Sequence, residues 1–177
     1  KAFNLPRIFP KNDLIKRDFL TNYKNIEKLD EQIGIIINQL KEDGLYENTI
    51  IFFFSDHGGP FPGYKRSIND LGIQCPFIVK WNEPILDNRN SQMVSFVDFA
   101  PTVLAAANLK PDYTMEGISF YKNNQRDYIF AGTDRFDELK TQTRCIRNKK
   151  YKLILNLDTN FCSGGTIKYR NQMATME

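Results

Sequence analysis

A chain of 177 residues with 41% hydrophobic and 25% charged residues is long enough for a core of ordinary size and has a soluble globular profile. A net charge of +3, with 24 Lys and Arg against 21 Asp and Glu spread along the chain, argues against a nucleic-acid partner. No stretch approaches the roughly 18 to 20 consecutive apolar residues of a membrane span, so no membrane helix is expected.

Lys1 to Asn12 carries two prolines and no periodicity, and reads as a loop. Asp13 is a plausible N-cap for a helix. Beyond it Phe19, Tyr23, Ile26, Leu29, Ile33, Ile36 and Leu40 recur at steps of three and four, the apolar stripe of a long amphipathic helix. Gly44 fits its C-terminal stop, and the stripe is expected to pack on a sheet.

Ile50-Ile51-Phe52-Phe53-Phe54 is apolar at every position, as in a strand buried on both faces of a parallel sheet. Helix, short turn and strand make half of a βαβ unit. The strand delivers Ser55-Asp56-His57-Gly58-Gly59 at its C-terminal end, where open α/β sheets bind ligands. A loop with Pro60 and Pro62 comes next, then a second short strand over Pro76 to Trp81.

Val97 to Leu109 reads as a helix opening near Asp98, with Pro101 in its first turn. Tyr128 to Ala131, Arg144 to Arg147 and Tyr151 to Leu157 read as three strands, the last two joined by a turn at Asn148-Lys149-Lys150. No helix separates these late strands, so their sheet is expected to be antiparallel. The change of character over Asn108 to Phe120 marks the boundary between residues 1–115 and 116–177.

His57 is the only histidine of the chain. Asp56 beside it is a hard oxygen donor suited to Ca²⁺, Mg²⁺ or Zn²⁺, or else a cap for the turn. His57 reads as a metal ligand, a proton donor or a side chain satisfied by backbone. Lys65, nine residues on, is either a solvated lysine or a point charge for an anionic oxygen; Arg66 is read as surface. Cys75, Cys145 and Cys162 form no CxxC or zinc spacing; pairing of Cys145 with Cys162 in an oxidising compartment stays open. GxSxG, HExxH, P-loop and GxGxxG patterns are absent.

The run Ile50 to Gly59, followed by Pro62, Lys65, Asp70, Gly72 and Pro76-Phe77-Ile78-Val79, resembles the sulfatase family. That family has a hydrophobic strand, S-D-H/N-G, a short loop, K-x-x-x-Y-[DE]-x-G-x-R-x-P and another strand. "YKNIEKLDEQIG" and "LKEDGLYENT" resemble its preceding helix. "SFVDFAPTVLAAANL", Glu116 to Phe120, and "RDYIFAGTDRFDE…RCIRNKKYKLILN" are similar to its later segments, so nearly the whole chain is covered in order. Asn69 and Gln74 stand where the family has Tyr and Arg.

The resemblance implies an α/β, alkaline-phosphatase-like sandwich with a mainly parallel mixed sheet, followed by a smaller antiparallel subdomain. It implies hydrolysis of sulfate esters or sulfamates of a sulfated small molecule or glycan. Asp56 and His57 carry over as Ca²⁺ ligands, with another divalent ion as the variant, and Lys65 as the sulfate contact. Arg135, with Asp134 and Asp137, falls in a region that in the family can reach the substrate cleft, or else these are surface charges on a strand edge or loop. The family nucleophile is a formylglycine made within C/S-x-P-x-R; Cys75-Pro76-Phe77 and Cys162-Ser163-Gly164 do not fit that pattern. Nucleophile and remaining ligands are thus expected in an N-terminal half outside this chain, and the chain alone is expected to be inactive. Export to the periplasm, cell surface or lysosome is implied too. A phosphatase or phosphodiesterase of the same superfamily and a non-catalytic sulfatase-like module are the alternatives.

Overall fold

The computed structural model describes residues 4–83, 90–121, 125–158 and 168. They fall into two compact units. The first contains the chain up to Ser55 together with the segment starting at Pro76; the second contains Asp56–Cys75 and the later described residues up to 158.

In the first unit, helix α1 spans Asp13–Glu42. Its N-cap is Asn12, one residue before the expected Asp13: the Asn12 side chain accepts from the Ile15 N–H at 2.9 Å. Asp13 instead lies in the first turn, where its charge complements the helix dipole. The far end closes with Gly44 N–H on the Lys41 carbonyl and Leu45 N–H on the Leu40 carbonyl. This paired closure needs a left-handed residue, which Gly44 supplies at φ 70°.

Of the apolar stripe of α1 only Phe19 is buried, against Phe9 in an edge-to-face contact. Leu20, Tyr23, Ile26, Leu29, Ile35 and Ile36 are exposed. The described element that α1 lies closest to is a 3₁₀ turn at Tyr46–Asn48, and the exposure of most of its stripe differs from the expected packing on a sheet.

Strand β1 (Ile51–Phe54) pairs antiparallel with β2 (Phe77–Lys80), in register from Ile51↔Lys80 to Phe54↔Phe77. The all-apolar pattern of β1 reports burial on two faces, and burial carries no information about a neighbour's direction. Two strands cannot cover both their own faces; Phe54 is 45% and Ile78 64% exposed. At the end of β2, Lys80 donates to the carbonyls of Tyr46, Glu47 and Thr49 and lies over the Tyr46 ring. One ammonium thereby satisfies three backbone acceptors of the turn that leads into β1.

The second unit holds helices α2 (Asp70–Ile73) and α3 (Phe99–Ala106) and strands β3 (Ile129–Phe136), β4 (Leu139–Arg147) and β5 (Lys152–Asn156). The strands form an antiparallel meander, as expected. The β4–β5 turn is fastened by Asn148, whose side chain accepts from the Lys150 and Tyr151 N–H groups. β3 and β4 run longer than expected and meet in a tight turn, because the polar stretch Thr133 to Glu138 hides strand pairing from an apolar pattern.

Ahead of α3, a 3₁₀ turn at Phe96–Asp98 carries a capping box between Ser95 and Asp98. Asp98 is 2% exposed and fully engaged. It accepts from the Ser95 and Ile118 N–H groups, each at 2.8 Å, and from the Arg126 guanidinium on both oxygens. Thr102, fully buried, donates to the Asp98 carbonyl and accepts from the Phe120 N–H. One buried acid thus ties α3 to the segment on its C-terminal side.

Candidate functional site

The site is an excursion of the chain. Phe54 and Phe77 pair at the ends of β1 and β2, and the Ser55 N–H closes the base on the Pro76 carbonyl at 3.3 Å. Between them, Asp56–Cys75 leaves the first unit and folds as part of the second. A connection this long within a compact protein usually carries function.

Asp56 stands at its start with its carboxylate 85% exposed. His57 is one-third exposed, and its Nε2 lies 3.5 Å from Asp56 Oδ1. The other nitrogen, Nδ1, is 2.6 Å from the Gly58 carbonyl. A carbonyl only accepts, so Nδ1 carries the hydrogen, and in the neutral ring the lone pair is on Nε2, beside the carboxylate. A metal-ligating histidine is commonly oriented in this way.

The turn is fixed behind these two side chains. The Gly58 N–H donates to the Gly72 carbonyl at 2.9 Å, and a Cβ on Gly58 would run into the Leu71 carbonyl. A Cβ on Gly72 would meet the Ser67 and Tyr64 carbonyls. Backbone approaches backbone here with no room for a side chain. The Lys65 N–H donates to the Gly59 carbonyl at 3.0 Å, so the loop returns Lys65 to the base of the Asp56-His57 turn while its side chain stays exposed.

Cys75 closes the segment. Burial pushes its thiol pKa up from the ordinary value, and the negative charge of Asp56 pushes it further the same way. Cys75 and Cys145 are free thiols; the pairing of Cys145 with Cys162 that the sequence left open involves a residue outside the described ones.

Of the residues singled out in the sequence, the fold brings Asp56 and His57 together and ties Lys65 to the same turn through backbone. Arg135 stays exposed on β3, beside an irregularity in the β3–β4 register between Thr133 and Arg135. Asp134 pairs with Arg144 at 2.6 Å. Asp137 pairs with Arg66 at 2.8 Å, so Arg66, read from sequence as surface, ties the chain directly after Lys65 to the β3–β4 turn. The partners of Asp70 were not legible either: its Oδ1 takes Arg147 at 2.9 Å and Lys152 at 3.0 Å. No local pattern announces a partner 82 residues away.

Among the described residues, no group of three or more His, Cys, Asp or Glu side chains could hold a metal ion. Asp56 and His57 bring a hard carboxylate oxygen and an imidazole nitrogen within 3.5 Å of each other, two donors of types that divalent cations accept and fewer than the six to eight of a full Ca²⁺ shell.

A family model described as Sulfatase matches residues 8–109, more than half of the chain and the whole Asp56–Lys65 turn. The chain belongs to the sulfatase family. An "Ulvan-active sulfatase" of Formosa agariphila is 44% identical over 179 residues, covering 99% of this chain and 30% of that protein. A human "N-sulphoglucosamine sulphohydrolase" is 26% identical over 118 residues, covering 64% of this chain and 23% of that one. A protein solved in complex with its substrate D-glucosamine-2-N,6-O-disulfate superposes with a TM-score of 0.60 at 25% identity, over 73% of this chain and 29% of that one. The α/β architecture with antiparallel sheets is therefore a sulfatase architecture. This sulfatase chain spans less than a third of the length of these relatives. Among its described residues, no helix is long and apolar enough to cross a membrane.

Proposed function

We propose that this chain is the part of a sulfatase that presents one side of a divalent-cation site and a sulfate contact to sulfated glycans. The observation that carries this reading is the oriented Asp56-His57 pair at the start of an excursion from a strand end, with Lys65 returned to the same turn. The names of the relatives support the substrate class: one acts on ulvan, and another is solved with a sulfated glucosamine.

In this reading Asp56 supplies a hard oxygen, and His57 supplies Nε2 in the tautomer held by the Gly58 carbonyl. A bound Ca²⁺, or another divalent ion, contributes positive charge against the sulfate oxygens as negative charge builds on them. Lys65 contributes a second positive charge, from an exposed ammonium able to reach an incoming anion. The net reaction adds water across the S–O bond of an ester, or the S–N bond of a sulfamate. The water oxygen ends on sulfur and a proton ends on the departing oxygen or nitrogen. The nucleophile is assigned to a formylglycine outside this chain, since no C/S-x-P-x-R stands within it. Export from the cytoplasm belongs to the same reading.

The test is sulfate release from a sulfated oligosaccharide by the protein at the full length of its relatives, with and without chelator. Expected are metal-dependent release, loss of roughly a hundredfold or more on Asp56→Ala, a smaller loss on Lys65→Ala, and no release by the 177-residue chain alone. Release by this chain alone would overturn the assignment of the nucleophile. Phosphate release in place of sulfate would overturn the substrate class.

A further inference from the structure

Lys65 and His57 sit on the segment Asp56–Cys75, whose regular structure is the four-residue α2 and whose described ring contact is Phe61 on Tyr64. What holds it is a strap of charges on the three-stranded sheet. At one end Arg66 reaches Asp137, in the β3–β4 turn, at 2.8 Å. At the other, Asp70 Oδ1 receives Arg147 from β4 at 2.9 Å and Lys152 from β5 at 3.0 Å. Lys152 also donates to the Ile68 carbonyl, so one ammonium grips the segment twice.

Arg66 adds a second indication. It holds a left-handed backbone at φ 65°, and Asp137 one at φ 52°. For Arg66 this is a sparsely populated conformation held by its surroundings, whereas Asp137 lies in the two-residue β3–β4 turn, where Asp adopts it readily. The two residues are partners in one ion pair, and Arg66 comes directly after Lys65.

The geometry points to Asp70, with Arg147 and Lys152, as the positioning group for the Asp56-His57 turn, which rests on the functional reading proposed for that turn. The path is short and physical. Arg147 and Lys152 fix Asp70; Asp70 opens α2; α2 carries Gly72, whose carbonyl accepts from the Gly58 N–H; and the Gly58 carbonyl sets the tautomer of His57. Arg66 fixes the same segment from the Lys65 side. Partly exposed ion pairs add little to global stability. Loss of the strap is therefore felt in the turn and not across the fold.

The experiment is amide hydrogen exchange together with steady-state kinetics, on the protein at the full length of its relatives. Asp70→Ala is compared with Asp70→Glu and with Arg147→Gln/Lys152→Gln, which breaks the strap from the sheet side if Asp70→Ala does not fold. Expected is exchange about tenfold faster at the Gly58 and Lys65 amides in both strap-breaking proteins, with β4 unchanged and Asp70→Glu largely restored. Expected with it is a fall in kcat of about tenfold or more, with KM moved less than about twofold. Unchanged exchange at Gly58 and Lys65, or faster exchange spread equally over β4, would overturn the proposal. So would loosened amides with kcat intact. A parent protein that releases no sulfate would strike the functional reading instead, and exchange alone would then decide the strap.

Discussion

The two nitrogens of His57 have different surroundings, and the difference sets what the ring can do. Nδ1 is committed to the Gly58 carbonyl, while Nε2 lies by Asp56. Replacement by Ala removes the donor, whereas Asn keeps a donor-acceptor pair on a shorter arm. In metal titration by calorimetry on the full-length protein, His57→Asn is expected to retain more affinity than His57→Ala; equal loss would count against a ligand role. The Asp56 charge also has a reporter that needs no substrate. It holds the Cys75 thiol above its ordinary pKa, second to burial, so less thiolate is present at a given pH. Asp56→Asn removes the negative charge, lowers that pKa and raises the thiolate fraction. Iodoacetamide labelling of Cys75 at about pH 8 should therefore run faster in Asp56→Asn than in the parent, as read by mass spectrometry of the Cys75 peptide. An unchanged rate would mean that the charge of Asp56 does not reach Cys75.

At the level of elements, α3 depends on Asp98 more than on its short apolar face. Asp98→Ala leaves Arg126 without its carboxylate and strips acceptors from the Ser95 and Ile118 N–H groups. The expected cost is about 3 to 5 kcal/mol in urea unfolding of the protein at the full length of its relatives, the range for breaking a buried pair from one side. α1 makes the opposite case. A Cβ at Gly34 meets nothing within 4 Å, and Gly34 lies inside the helix. Gly34→Ala should stabilise that longer protein by about 0.8 to 1 kcal/mol by the same measurement; a destabilised variant would mean that something packs there. α1 was legible in the sequence because a period of about 3.6 residues, here sustained over thirty residues, is a local property. The β4–β5 hairpin was legible for the same reason, through Asn148. The Asp56-His57 turn was legible because strand and motif are adjacent. The β3–β4 turn, the Arg66–Asp137 pair and the partners of Asp70 were not, since each joins polar residues whose partners are distant in sequence and leave no periodic trace.

For the whole molecule, burial is the limiting quantity. Among the described residues the buried hydrophobic side chains are Phe19, Phe120 and Cys145, while aromatic and aliphatic side chains on α1, β2, β3 and β5 stay exposed. So small a buried set supplies little of the free energy that ordering a chain requires. The 177-residue chain alone is expected to bind ANS and to melt without a sharp calorimetric transition. Joined to the remainder that its relatives carry, it should melt cooperatively; a sharp transition for the chain alone would refute this.

The division of the chain at Ser55 and again at Cys75 has a consequence for engineering. Transplanting Asp56–Cys75 by itself between sulfatases would separate Arg66 and Asp70 from Asp137, Arg147 and Lys152. A chimaera that also exchanges β3 to β5 keeps both ends of each of these pairs, so the smallest transferable unit is discontinuous in sequence.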